Sequence, residues 1–162
     1  MTTKNCHMLF LTALLLAGLS GPLHAQVFPG GNGLSMAGVE RFDIHVQVAS
    51  WQGIATDPFE FRLQAQTLFE SRLAATGVNR QSASRDYLAC HIQAAFSQGV
   101  VAYTTTLQYW NLRSTGVNTL LWENGTLATT SLADFTAEQV AGECADYFVE
   151  EWSKWNPVSV HE

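Results

Sequence analysis

Positive charge is scarce in this sequence. Its 162 residues include eight lysines and arginines against fourteen aspartates and glutamates. Lys4 lies in an N-terminal segment that we expect to be removed, so the remaining chain holds seven basic residues and a net charge near −7. A negative balance of this size argues against nucleic acid and anionic membrane surfaces as partners.

Apolar runs long enough to span a bilayer are also missing from the sequence. The run from Met8 to Leu19 holds about a dozen residues, whereas a membrane-spanning helix needs about 20. The run follows Lys4 and ends before the small-residue sequence LHAQ, a pattern typical of a secretory signal peptide. We therefore predict a signal peptide over residues 1–25, export to the periplasm or the extracellular space, and no membrane insertion after cleavage.

Cysteine is rare, with three in the chain. Two of them, Cys90 and Cys144, follow the predicted signal peptide, and an even pair in an exported chain favours a disulfide. The bridge would close a loop of about 55 residues, for which the chain-entropy model gives roughly 4 kcal/mol of stabilisation. Cys90 precedes His91 in a predicted strand, where neighbours point to opposite faces, so a Cys-His catalytic pair is disfavoured.

Sequence motifs of known catalytic sites are not found. The chain contains neither G-x-S-x-G nor H-E-x-x-H, and its GGNG sequence is not followed by the Gly-Lys-Ser/Thr of a phosphate-binding loop. We predict that the protein is not an enzyme, with no catalytic residue and no cofactor.

Composition and periodicity divide the rest of the chain. Residues 26–39 are rich in glycine and lack periodicity, so we expect a flexible leader there. Residues 40–157 are expected to form a single domain, with a short tail at 158–162. Capping and turn signals mark the helices and hairpins inside this domain. Asp57-Pro58 and Thr136 stand at predicted helix starts, SQG at one predicted hairpin and Asn124-Gly125 at another.

The order of these elements predicts the fold class. A strand is followed by a helix, then by hairpin-linked strands, then by a last helix. This order indicates an α+β fold with a single, mostly antiparallel sheet of about four strands and two helices on one face. The opposite face of the sheet is then left open.

Alternation along the strands suggests which side chains line the open face. Cys90 belongs to the apolar side, so His91 falls on the other, together with His45 if the same parity holds on its strand. An exposed aromatic and amide surface of this kind is typical of a binding site. The candidate binding face comprises Trp51, His45, His91, Gln47, Gln93, Tyr109 and Trp110.

Two histidines and a carboxylate on this parity raise the question of a metal site. His45, His91 and Asp43 could converge if their strands are neighbours, and zinc hydrolysis needs three such ligands and an open position. Because no fixed-spacing metal motif is present, we predict no metal, and the three residues define an alternative site only.

Three short motifs carry a resemblance. VVAYTTTLQYW, LLWENG and ADYFVEEWSKWNP resemble the spaced motifs of small, uncharacterised exported bacterial proteins, over about residues 40–157. The element order is similar to the strand-helix-hairpin-helix domains of periplasmic envelope factors, such as the N-terminal domain of the Tol-Pal translocation protein and the outer-membrane activators of peptidoglycan synthases. This second resemblance is one of topology, and it implies a protein-binding module.

The sequence thus predicts a non-catalytic exported domain that binds another envelope protein through its open sheet face or an edge strand. The alternatives are a small-ligand carrier that uses the aromatic patch and a metal-dependent hydrolase built on His45 and His91. An uncovered sheet face would also allow a homodimer.

Overall fold

The computed structural model describes residues 25–113 and 115–157. The predicted tail and the predicted signal peptide, apart from Ala25, lie outside this part of the chain. Its elements in chain order are β1 (Ala25–Gly31), a 3-10 helix (Gly33–Met36), β2 (Arg41–Gln52), α1 (Pro58–Ala74), β3 (Asn79–Arg80), β4 (Asp86–Ser97), β5 (Val100–Leu112), β6 (Asn118–Ser131) and α2 (Ala137–Trp155).

The strands form one mixed sheet in the order β1-β6-β5-β4-β2-β3. The prediction of an α+β fold with a single sheet and two helices is confirmed, but the expected number of about four strands is wrong. Within residues 25–113 and 115–157, five long strands and the two-residue β3 take part. β1, β6, β5 and β4 pair antiparallel, whereas β2 pairs in parallel with β4 and with β3. The parallel pairing of β2 with β4 arises because α1 connects them as a crossover, which returns the chain to the same end of the sheet.

The hydrophobic core lies between the helices and one face of the sheet. α1 buries Phe61, Ala65, Phe69 and Leu73, which recur at helical spacing. α2 adds a second apolar stripe that includes Phe148, whose ring meets Phe42 of β2 edge-on at 5.4 Å. In the described part of the chain, neither helix is long and apolar enough to cross a membrane.

Both helices begin where the capping signals predict. The Asp57 carboxylate accepts a hydrogen bond from the Phe59 N–H at 2.7 Å, and Pro58 stands at the start of α1. The Thr136 hydroxyl accepts from the Gln139 N–H at 3.1 Å at the start of α2. Each cap satisfies a backbone donor that the helix itself leaves unpaired.

The predicted disulfide is present. Cys90 on β4 and Cys144 on α2 are bonded, with their Cα atoms 6.1 Å apart. Both residues are fully buried in the core. The bridge therefore ties the helix layer to a central strand of the sheet.

The segment predicted as a flexible leader is built into the fold. β1 pairs with β6 from Ala25↔Leu127 to Gly31↔Trp122, with a bulge between Val27 and Gly30. Met36 of the 3-10 helix is fully buried in the core. No sign of this structure is visible in the sequence, because backbone pairing of one strand and burial of one side chain produce no periodic pattern of apolar residues.

The predicted hairpin at Asn124-Gly125 is wrong. β6 runs without interruption through both residues, and Gly125 lies opposite Thr106 of β5. A Cβ atom at Gly125 would lie 2.4 Å from the Thr105 carbonyl oxygen, so glycine is needed here for close strand approach. The predicted hairpin at SQG is present instead, with Gln98 and Gly99 at φ 51° and 83° between β4 and β5.

Candidate functional site: the open sheet face

The sheet face opposite the helices is not covered by any element in the described ranges. Strand register arranges its side chains in five rows that cross β2, β4, β5 and β6. We call this surface the open face. Its rows are Asp43-Tyr87-Trp110-Leu120, His45-Ala89-Gln108-Glu123, Gln47-His91-Thr106-Gly125, Ser50-Gln93-Thr104-Leu127 and Gln52-Ala95-Ala102-Thr129.

One end of the open face is aromatic. The rings of Tyr87 and Trp110 stack with centroids 6.2 Å apart and planes 3° from parallel. The His45 ring meets Tyr87 edge-on at 6.0 Å. Burial raises the pKa of the Tyr87 phenol above its ordinary value.

One hydrogen bond within β5 and one from β5 to β6 hold this aromatic end in place. Trp110 Nε1 donates to Gln108 Oε1 at 3.0 Å, and Gln108 Nε2 donates to Glu123 Oε2 at 3.2 Å. The chain of contacts fixes the Gln108 amide and one oxygen of Glu123. A surface whose side chains are fixed before binding loses less entropy when a partner docks.

The other end of the open face is a shallow depression. Ala95 and Ala102 stand opposite each other and leave a hollow of about 190 Å³. Its walls come mainly from side chains of the last two rows: Ser50, Gln52, Gln93, Thr104 and Leu127. None of these groups is charged, and the five rows together hold two carboxylates, on Asp43 and Glu123, and no lysine or arginine.

Five residues of the predicted binding face lie on the open face: His45, Gln47, His91, Gln93 and Trp110. Their common face follows from the alternation of β2, β4 and β5, since the two residues on β2 precede its register shift. Residues in the same rows were missed, among them Tyr87, Gln108 and Leu127. Tyr87 could have been found from the sequence, since it has the same parity as His91 on one strand.

Trp51 does not lie on the open face, contrary to the prediction. A bulge between Val48 and Ser50 inserts one residue into β2 and reverses the parity of the residues after it. The Trp51 ring consequently turns toward the helices, 4.7 Å from Phe61 and 5.6 Å from Phe135. Its Nε1 donates to the Thr56 carbonyl at 2.9 Å.

Tyr109 is also misplaced by the prediction. It is 1% exposed and meets Phe42 edge-on at 5.7 Å in the core. Its hydroxyl donates to Asp86 Oδ1 at 2.6 Å. Burial, followed by this carboxylate, raises the pKa of Tyr109 well above its ordinary value. Because neighbouring strand residues point to opposite faces, Tyr109 lies in the core and Trp110 on the open face.

The three residues of the alternative metal site are only partly brought together. His45 Nε2 lies 3.4 Å from Asp43 Oδ2. His91 lies in the next row, opposite Gln47, on the neighbouring strand. Across residues 25–113 and 115–157, no three His, Cys, Asp or Glu side chains are grouped so that they could hold a metal ion.

A polar cluster lies on the inner side of the sheet. Glu143 of α2 accepts hydrogen bonds from the Tyr103 hydroxyl at 2.6 Å and the Thr105 hydroxyl at 2.8 Å. Gln139 Nε2 donates to the Tyr103 hydroxyl at 2.7 Å. Burial, and after it the bond to Glu143, raises the pKa of Tyr103 well above its ordinary value. These contacts join α2 to β5, and the carboxylate is occupied by donors from the fold itself.

Comparison with known proteins finds similar solved structures, among them two of PelC. No protein-family model matches the sequence, and no curated protein matches it. A PelC variant dodecamer from Paraburkholderia phytofirmans is 13% identical, with a TM-score of 0.46 over 79% of this chain and 95% of that one. A second PelC dodecamer from the same organism is 12% identical, with a TM-score of 0.49 over 78% of this chain and 95% of that one. No functional statement follows from similarities at this level.

Proposed function

We propose that this chain is a non-catalytic, exported domain that binds another envelope protein through its open face. The observation that carries the proposal is the open face itself, a surface of five cross-strand rows with a fixed aromatic end. Aromatic side chains with polar tips, presented on an exposed surface, are common where proteins bind partners. Exposed Leu120 and Leu127 extend that surface along β6.

The shape of the open face favours a protein over a small molecule. Pockets for small ligands usually enclose about 300–1,000 Å³. The depression beside Ala95 and Ala102 is about 190 Å³ and shallow. A protein surface can cover the whole face, whereas a small molecule would contact one end of it. The small-ligand carrier is for this reason the weaker alternative.

Export is supported by the chemistry of the core. A fully buried disulfide between Cys90 and Cys144 is typical of proteins that fold in an oxidising compartment. The signal-peptide pattern of residues 1–25 points the same way. The partner is then expected among the other proteins of the periplasm or envelope.

Site-specific photocrosslinking in the producing cell tests the proposal. A photoreactive residue replaces Gln93 on the open face, and a matched control replaces Gln64, which is exposed on α1. We expect the Gln93 position to form a crosslink to another envelope protein and the Gln64 position to form none. Crosslinks confined to Gln64 would contradict the proposal.

Charge substitution at the same two positions supplies an independent measurement. Gln93→Arg is expected to weaken capture of the crosslinked partner at least tenfold, because a cation is introduced into the uncharged end of the face. Gln64→Arg is expected to leave capture unchanged. Substitutions at exposed positions usually change stability by no more than about 0.5 kcal/mol, so circular dichroism should show both variants folded.

Two outcomes would replace the proposal with an alternative. A crosslink at Gln93 to a second copy of this chain would make the open face a homodimer interface. A small molecule retained on the purified protein and released by Trp110→Ala, with no crosslink to protein, would make the chain a ligand carrier.

A further inference from the structure

The outer edge of β2 is incompletely covered by backbone. β3 pairs with Arg41 and Phe42 and then leaves the edge. The next outward-pointing backbone groups belong to Ile44 and Val46, on the side of β2 away from β4. Unpaired groups at the edge of a sheet can pair with a strand of another molecule.

The side chain of Gln66 occupies this position. The Val46 N–H donates to Gln66 Oε1 at 2.6 Å, and Gln66 Nε2 donates to the Ile44 carbonyl at 2.7 Å. One carboxamide thus accepts from and donates to two alternate residues of the strand, as the backbone of a neighbouring strand would.

A second layer of contacts fixes the orientation of this amide. Gln66 Nε2 also donates to Glu70 Oε1, one turn further along α1. Arg80 of β3 pairs with the same carboxylate, with Nη1 3.1 Å from Glu70 Oε1. Because the Glu70 carboxylate can only accept a hydrogen bond, the amide nitrogen of Gln66 must face it. The amide oxygen is then directed toward the Val46 N–H.

β2 would otherwise be well suited to pair with its own copy. Its sequence from Ile44 to Val48 contains three β-branched residues and no aspartate, glutamate, lysine or arginine. Such a segment has high β-propensity. The charges at this edge belong to residues outside it: Asp43, whose Oδ1 accepts from the Ile44 N–H at 3.1 Å, and the Glu70–Arg80 pair beside Gln66. Two copies could join antiparallel through these edges, because an antiparallel pair of identical strands satisfies two-fold symmetry.

We propose that Gln66 guards the β2 edge, so that its amide prevents two copies of this chain from joining edge to edge through β2. The groups concerned lie in the plane of the sheet, so this inference does not depend on the function of the open face.

Sedimentation equilibrium across a concentration series tests the inference. Gln66→Met keeps the length and packing of the side chain but removes both edge hydrogen bonds. We expect its weight-average mass to rise with concentration toward twice that of the wild type. Gln64→Met, on the exposed side of the same helix, is the matched control and is expected to behave as the wild type does.

Two further measurements distinguish the loss of the two edge hydrogen bonds from a general loss of stability. Gln66→Glu also breaks the bond to Ile44 but places a charge at the edge, so we expect it to be destabilised without additional association. Hydrogen exchange at the Val46 amide should be faster in dilute Gln66→Met than in the wild type and slower again at high concentration. A folded Gln66→Met with the mass of the wild type at every concentration would overturn the inference, as would equal association of Gln66→Glu.

Discussion

Reduction of the Cys90–Cys144 bridge should remove a large part of the stability of this fold. The two cysteines are 54 residues apart in sequence. In the chain-entropy model, a closed loop of this size restricts the unfolded chain enough to stabilise the native state by about 4 kcal/mol. Domains of this size are stable by about 5–15 kcal/mol in total. The reduced protein is therefore expected to be marginally folded.

Urea unfolding of the same chain, oxidised and reduced, measures this contribution directly. The oxidised and reduced proteins both keep the two sulfur atoms, so reduction creates no cavity in the core. With an m-value of about 2 kcal/mol per molar urea, the unfolding midpoint should fall by about 2 M. Because both cysteines are buried, reductant should act on the folded protein slowly and at a rate that follows its opening.

A variant with alanine at both cysteines serves as the control. It should unfold at the same urea concentration with and without reductant. A midpoint that falls by less than about 0.5 M on reduction of the wild-type chain would refute the reasoning, since the bridge would then restrict the unfolded ensemble far less than its loop length requires.

Substitutions at single positions test other contacts. Gly125→Ala is expected to lower the free energy of unfolding by about 2 kcal/mol, because the methyl group would meet the β5 backbone. Gly142→Ala, within α2, is expected to raise it by up to about 1 kcal/mol, and equal urea midpoints for the two variants would contradict this. Stability should fall as pH rises above about 10, because unfolded tyrosine ionises there while the raised pKa of Tyr103 keeps its proton in the folded state. Tyr103→Phe should reduce that slope by up to about 1.4 kcal/mol per pH unit, and an unchanged slope would contradict the assignment. Trp51→Ala should lower the free energy of unfolding by about 2 kcal/mol, and Trp110→Ala by less than half as much. If Trp110→Ala were the more destabilising change, Trp51 would lie outside the core.

Local chemistry made part of the fold predictable. Asp57 and Thr136 mark helix starts because a side-chain oxygen before an apolar periodic run satisfies a backbone donor wherever it occurs. The alternation of β4 separates Cys90 from His91, and the shared burial of Cys90 and Cys144 brings the two sulfurs together. These inferences depend on neighbours within a few residues, or on one pair of cysteines.

Features that depend on distant pairing were not predictable. The bulge in β2 leaves no signal in side-chain chemistry, yet it moves Trp51 from the open face to the core. Asn124-Gly125 serves a hairpin and a close strand approach equally well, and the neighbouring strand decides between them. Gln66 resembles an ordinary polar helix residue until the edge of β2 is placed beside it.

The bridge also determines what a protease can separate. Arg113 lies in the exposed connection between β5 and β6, inside the ring that Cys90 and Cys144 close. A trypsin-like cut after Arg113 would divide the backbone into two pieces, one carrying each cysteine. The pieces would stay covalently joined, so β6 and α2 could not diffuse away from β4 and β5. A domain of this design can be cut at its exposed loop and remain assembled until it meets a reductant.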